Sequence, residues 1–299
     1  MAVPADAVDM DVWAGPQPHF ESDVPGENFH DRDLMHTHRQ CKGCRRFRRC
    51  TDDGKSMELL RCKGCEIDSY CSKECQVRAW KSGHKGACRW LSEQKEEVQT
   101  VTGDDREWGR FTRWLEYHHA SLINAALASY NAIGPKAHEN YILAIRVVHV
   151  KCQMHERCNH LPLQRSLQTL AVYLIHRNSQ AGRTFDNVFR ARDGAVALSK
   201  QEHGREYGGT GAYLLMRRYA EGTAEETMIP FWKCFGFDKY HARARPIGDP
   251  MRLLEGNLNE GKRPRFCCGK FVEAMSGEVC CCGGWTHANK TDGQSDEVD

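Results

Sequence analysis

The chain has no run approaching the ~18 consecutive apolar residues that a membrane span requires. Its opening, MAVPADAVDMDVW, lacks the basic start and the apolar stretch of a secretory signal. An excess of charge is also missing. Lys and Arg number 42 against 40 Asp and Glu, so the whole-chain balance gives no reason to expect a nucleic acid or a membrane surface as partner. No internal repeat is visible, and Gly208-Gly209-Thr210-Gly211 lacks the Lys and the spacing of a phosphate-binding loop, reading instead as an ordinary loop. Arg205, Glu206 and His203 form no recognisable nucleophile motif. These absences lead us to expect a soluble, intracellular protein, with nucleus and cytoplasm left open.

Cysteine is abundant. Of sixteen, eight fall within residues 41–88. Without an export signal the compartment is read as reducing, so clustered thiols point to metal rather than to disulfides. The cluster reads Cys41-x2-Cys44, seventeen residues, Cys62-x2-Cys65, five residues, Cys71-x3-Cys75, eight residues, His84-x3-Cys88. It supplies four pairs of ligands. Zinc takes four N or S donors in a tetrahedron, and a CxxC turn brings two thiolates to one ion, so eight donors predict two closed ions. Closed shells leave no open position for a substrate or a catalytic water, which makes the metal structural.

Within CSKECQVRAWKSG, Ser72 suits an N-cap, Glu74 the first turn and Gly83 a stop, which predicts a short helix. Cys71 and Cys75 are four apart at its start, and His84 and Cys88 repeat that separation. Each pair forms half a site. Which halves combine does not follow from spacing.

Tyr70-Cys71-Ser72 followed by Cys75-Gln76, with Trp80 ahead of His84-Lys85 and all eight donors in order, resembles the MYND-type zinc finger over about 48 of the 299 residues. The resemblance implies an interleaved pairing, Cys41 and Cys44 with Cys71 and Cys75, and Cys62 and Cys65 with His84 and Cys88. Cys50, in the first interval, could substitute for one of these ligands and reads as a spare thiol. The resemblance also implies that Gln76 and Trp80 contact a short proline-containing peptide of a partner protein, with transcriptional regulation as one setting. An indole offers apolar area and one donor, and Gln can bond a peptide backbone. The plainer reading is that Trp80 only packs a small core.

A module of about 50 residues has little core, so zinc binding, worth roughly 10–16 kcal/mol, supplies most of its folding energy. Residues 41–88 carry twelve Lys and Arg against six Asp and Glu. Two zinc ions and seven thiolates bring that excess to about +3. Much of it lies in CRRFRRC, where Arg45, Arg46, Arg48 and Arg49 flank Phe47. This patch supports an alternative reading as a nucleic-acid-associated regulator, set against that of a solvated loop.

The expected architecture is a small zinc-stabilised module of short hairpins plus a helix (40–90), followed by an α+β domain of unknown function (105–288). Residues 1–39 form a disordered arm, whose His19, His30, His36 and His38 read as solvated, 91–104 a charged linker or helix extension, and 289–299 a disordered acidic tail. Trp108, Phe111, Leu115, His118, Leu122, Ala126 and Tyr130 mark one stripe of an amphipathic helix stopped by Gly134-Pro135. YILAIRVVHV (141–150) and LAVYLIH (170–176) read as strands, AYLLMRRYA (212–220) as helix. KFVEAM and EVCCC read as a hairpin turning at Ser276-Gly277.

Two weaker clusters remain. Cys152, His155, Cys158 and His160 match no zinc spacing and read as core or surface side chains. Cys267, Cys268, Cys280, Cys281, Cys282 and His287 bracket the C-terminal hairpin, where they read as buried thiols or as donors for a further ion. MYND fingers also occur in SET-type lysine methyltransferases, which gives a third reading. The motifs run against it: Leu161-Pro162 follows Asn159-His160, and no Gly-Glu-Glu strand follows downstream. We therefore expect a binding protein and not an enzyme.

Overall fold

The computed structural model describes residues 3–4, 41–44, 49–50, 56–57, 59–149, 165–219, 226–238, 249–261, 264–267 and 270–273. The chain divides into two compact units, one built on His38–Glu116 and the other on Tyr117–Ser295 with Met1–Thr37. The division falls inside a helix, whereas composition places a linker near Gly103 and Asp104.

Strand β1 (Val3–Pro4) belongs to the sheet of the larger unit. The smaller unit begins with two short hairpins, β2 (Arg49–Cys50) with β3 (Ser56–Met57) and β4 (Leu60–Arg61) with β5 (Ser69–Tyr70). Helix α1 (Lys73–Ala79) follows, capped as expected by Ser72, whose Oγ accepts the Cys75 N–H. Gly83 breaks the helical run as expected, since Ser82 and Gly83 both leave helical φ/ψ and a kink separates α1 from the helix that follows. It sits at φ +122° in the kink within Trp80–His84, and α2 (Lys85–Thr102) starts directly beyond. Helix α2 buries Leu91, Gln94 and Val98 and ends on left-handed Gly103, so the charged stretch is a packed helix.

Helix α3 (Glu107–Ile133) carries the expected stripe, and every member of it is buried. Its first turns complete the smaller unit. Trp108 Nε1–H donates to the Cys65 carbonyl at 3.0 Å, and Arg61 pairs with Glu116. Lys95 of α2 pairs with Glu66 at 2.5 Å.

The larger unit is a mixed sheet. After α4 (Ala137–Asn140), strands β6 (Tyr141–His149) and β7 (Leu167–His176) run antiparallel, with a bulge beyond Arg146. Helices α5 (Gln180–Thr184) and α6 (Asp186–His203) lead to β8 (Tyr207–Tyr219), parallel to β6, and β9 (Thr227–Asp238) pairs antiparallel with β8. The order is β1-β9-β8-β6-β7. A parallel neighbour needs a crossover, which α5 and α6 supply. Ile142, Ala144, Ala212, Leu214 and Met216 pack with Val188 and Phe189 of α6 and with Phe185 at the junction of the two helices. On the alternate positions, Tyr213 OH meets His119 Nδ1 of α3 at 3.1 Å. Helix α7 (Pro250–Glu260) uses Asn259 to take the N–H and C=O of Thr169 on the edge strand β7, at 2.7 and 3.0 Å.

The expected helix at 212–220 is instead part of β8. Thr210 to Arg217 are all buried because both faces of this central strand are covered, so it shows no alternation, and a short apolar run reads equally as helix. The expected loop at 208–211 lies in the same strand. A Cβ on Gly211 would stand 2.7 Å from the Phe235 ring opposite it, so glycine admits the aromatic there. Strand β10 (Pro264–Cys267) pairs with β11 (Lys270–Glu273), so the KFVEAM segment partners what precedes it. The turn at Ser276-Gly277 lies outside the described residues.

Also outside the description lie Arg45, Arg46 and Arg48, the N-terminal histidines, the 152–160 cluster, and Cys268, Cys280, Cys281, Cys282 and His287. Among the described residues, no helix is long and apolar enough to cross a membrane.

Candidate metal centre

The eight residues chosen from their spacing come together as two groups of four. Cys41, Cys44, Cys71 and Cys75 form one and Cys62, Cys65, His84 and Cys88 the other, with the donor atoms in each group within 4.8 Å of one another. This is the interleaved pairing, and the backbone shows how it arises. Strand β5 pairs with β4, which leads into the Cys62–Cys65 knuckle, and its Ser69 also bridges to Cys41, with Lys42 N–H donating to the Ser69 carbonyl at 2.9 Å. The chain leaving β5 delivers Cys71 beside the first knuckle, where its N–H reaches the Cys41 sulfur at 3.3 Å. The Gly83 turn then brings His84 and Cys88 to the second knuckle.

The separations fit a zinc ion. Four thiolates at about 2.3 Å from a tetrahedral ion lie roughly 3.8 Å apart, and an imidazole nitrogen lies about 3.6 Å from a neighbouring sulfur. Cys44 and Cys71 sulfurs are 3.4 Å apart, Cys71 and Cys75 3.6 Å, and Cys62 and Cys88 3.7 Å. His84 Nε2 is 3.4 Å from the Cys62 sulfur.

Charge points the same way. Burial opposes ionisation of Cys41, but N–H groups of Cys71 and Gly43 aimed at its sulfur outweigh it and bring the thiol down to about 7. Cys62 also falls to about 7 despite burial, through the backbone of its own knuckle and through His84. Burial and the neighbouring sulfurs push Cys71 up, and Cys88 up to about 12. One thiolate per group forms readily and opposes the next. A full set of thiolates therefore needs a cation among them.

The two groups differ in exposure. In the first, Cys44 is exposed and Cys71 half-buried, while all four members of the second are buried. His84 sits edge-on to Tyr70, ring centroids 5.6 Å apart, and its Nδ1 is 3.0 Å from Asp68 Oδ2. That is an ion-pair distance, with the N–H directed off the line of a strong hydrogen bond. Asp68 first, then the Cys65 sulfur, raise His84 to about 10 against the effect of burial.

The nominated contact residues stand on the second group. Gln76 Nε2–H donates to the Cys62 sulfur at 3.9 Å, and the Trp80 indole lies edge-on to His84 while remaining 42% exposed. Trp80 therefore keeps a solvent-facing surface beside the site. Val77 and Leu60 are the other exposed large apolar side chains among the described residues of this unit.

Sequence reading missed four further residues at the site. A Cβ on Gly43 would stand 2.7 Å from Cys75 Cβ and 2.8 Å from its carbonyl oxygen, and one on Gly64 2.9 Å from the Cys88 sulfur. Each knuckle lies so close to its second ligand pair that no side chain fits between. The signal was present, since both knuckles read Cys-Lys-Gly-Cys. Asp68 and Trp108, which hold His84 and Cys65 in place, left none in the spacing.

Two interleaved four-donor groups on short hairpins and one helix fit a zinc-binding module. Residues 41–88 match the MYND finger family, a segment bounded by the first and last of these donors. No curated protein and no solved structure matches the chain.

Proposed function

We propose that Cys41, Cys44, Cys71 and Cys75 hold one structural zinc ion, that Cys62, Cys65, His84 and Cys88 hold a second, and that the finger docks a short proline-containing peptide of a partner protein on Gln76 and Trp80. Zinc supplies folding energy here, and the chain supplies the recognition. The observation that carries the docking reading is Trp80 itself: a large indole, 42% exposed, on the outer side of a closed metal site, where nothing in the chemistry of the ion requires it. Gln76 supports it, because with its amide N–H turned to Cys62 its Oε1 remains free to accept a peptide N–H. A setting in transcription, inside the cell, belongs to this reading by resemblance alone. No catalytic role is assigned to either unit.

The test uses the full chain on an array of short proline-containing peptides, with zinc content measured in parallel. Wild type should retain a subset of the peptides, and Trp80→Ala should lose them while keeping two zinc ions. Failure of wild type to retain any peptide, or equal retention by Trp80→Ala, would remove the docking role. Loss of zinc in the variant would make Trp80 a structural residue.

A further inference from the structure

Each ring nitrogen of His84 has one polar neighbour. Nε2 faces the Cys62 sulfur at 3.4 Å, and Nδ1 faces the carboxylate of Asp68 at 3.0 Å. A carboxylate accepts only, so the hydrogen on that side belongs to Nδ1, and in the neutral ring this leaves the Nε2 lone pair directed at the sulfurs. A metal ion held among these sulfurs would meet that lone pair. The arrangement therefore suits a metal-bound imidazole.

Asp68 is well placed to impose that tautomer. Its carbonyl accepts the Cys62 N–H at 2.8 Å, so the residue that orients the histidine also closes the turn carrying a facing thiolate. Its side chain is 16% exposed and that of His84 3%, which keeps water from competing strongly for the contact. Tyr70 and Trp80 lie edge-on to the same ring at 5.6 and 5.9 Å, which restricts its rotation. No comparable carboxylate is required at the first group, where all four donors are sulfur.

We infer that Asp68 is a positioning residue of the second site, holding His84 as the Nδ1–H tautomer so that Nε2 is presented to the metal. This rests on the zinc reading of the site and is independent of peptide docking. Carboxylates behind a metal-bound imidazole fix its tautomer and raise its basicity, and their removal weakens binding about 10–100-fold.

The experiment loads the full chain with zinc and compares wild type with Asp68→Ala and Asp68→Asn. Affinity at each site is read by competition with a chromophoric chelator, and the His84 tautomer by nitrogen-15 NMR. Cobalt substitution separates the ion with an imidazole donor from the all-sulfur ion by its absorption spectrum. Asp68→Ala should weaken the imidazole-bound ion about 10–100-fold and leave the all-sulfur ion unchanged, with the His84 tautomer mixed. Asp68→Asn, whose amide oxygen still accepts from Nδ1–H, should restore the tautomer and part of the affinity. Unchanged affinity and tautomer in Asp68→Ala would overturn the inference, and so would equal weakening of both ions, which marks a general folding role. If wild type takes up no metal at the second site, the zinc reading itself fails, and that is seen before any variant is made.

Discussion

Trp80 stands edge-on against the imidazole of His84, with ring centroids 5.9 Å apart and planes at 67°. Such pairs contribute about 0.5–1.5 kcal/mol beyond their buried area. The exposed indole of the finger is therefore oriented by a metal-ligand candidate, and Gln76 by another, Cys62. An indole held this way loses little rotamer freedom when a partner covers it, which favours affinity through preorganisation. Because both contacts belong to the second group, the proposed docking face would depend on that site more directly than on the first.

The unequal burial of the two groups predicts the order in which metal leaves. Cys44 is exposed and Cys71 half-buried, whereas Cys62, Cys65, His84 and Cys88 are all buried. Under limiting chelator the first ion should be lost first. Alkylation followed by mass spectrometry should then label Cys44 and Cys71 before Cys62, Cys65 and Cys88. Simultaneous labelling of all of them would show that the finger opens as one unit.

Gly43→Ala should disrupt the first site. The added methyl meets Cys75 Cβ at 2.7 Å and backbone atoms behind it, which cannot rotate away. We expect a loss of roughly 1–3 kcal/mol with weaker binding of one zinc ion. Gly86→Ala is the control. A Cβ there meets nothing within 4 Å, and the position lies inside α2, so the change should stabilise by up to about 1 kcal/mol. Thermal unfolding with zinc analysis reads both, and equal behaviour of the two variants would refute the steric account.

His138 predicts a pH dependence in the larger unit. Burial, chiefly, lowers its pKa from the usual histidine value; Glu139 opposes this and Arg192 and Lys136 add to it, while Tyr130 and Phe237 face the ring edge-on. A histidine depressed in the folded state favours folding while it is neutral, and that contribution is lost as pH falls from about 6.5 toward the folded pKa. Denaturation midpoints should therefore decline over that window and decline less in His138→Phe. An identical slope in the variant would assign the dependence to other groups.

The ligand pairs were legible because metal chemistry fixes both residue type and local spacing, and Ser72 because a cap acts within one turn. Strands at 141–149 and 167–176 were legible from their density of β-branched residues. Strand β8 was not: its apolar run owes its form to layers contributed by α3 and α6, which no local window contains. Gly209 and Gly211 read as loop residues for the same reason, since the rings that require them, Phe237 and Phe235, are supplied by the neighbouring strand.

The sequence by itself determined that eight donors lie in four pairs and that a family resemblance covers 41–88, because those properties depend on neighbours a few residues apart. How strand β5 bridges the two knuckles, which group is buried, and which residue stands behind His84 were decided only by tertiary structure. Asp68 and His84 are sixteen residues apart in the chain and meet because a hairpin and the kink at Gly83 bring them together. That juxtaposition depends on how the backbone closes, which spacing along the chain does not encode.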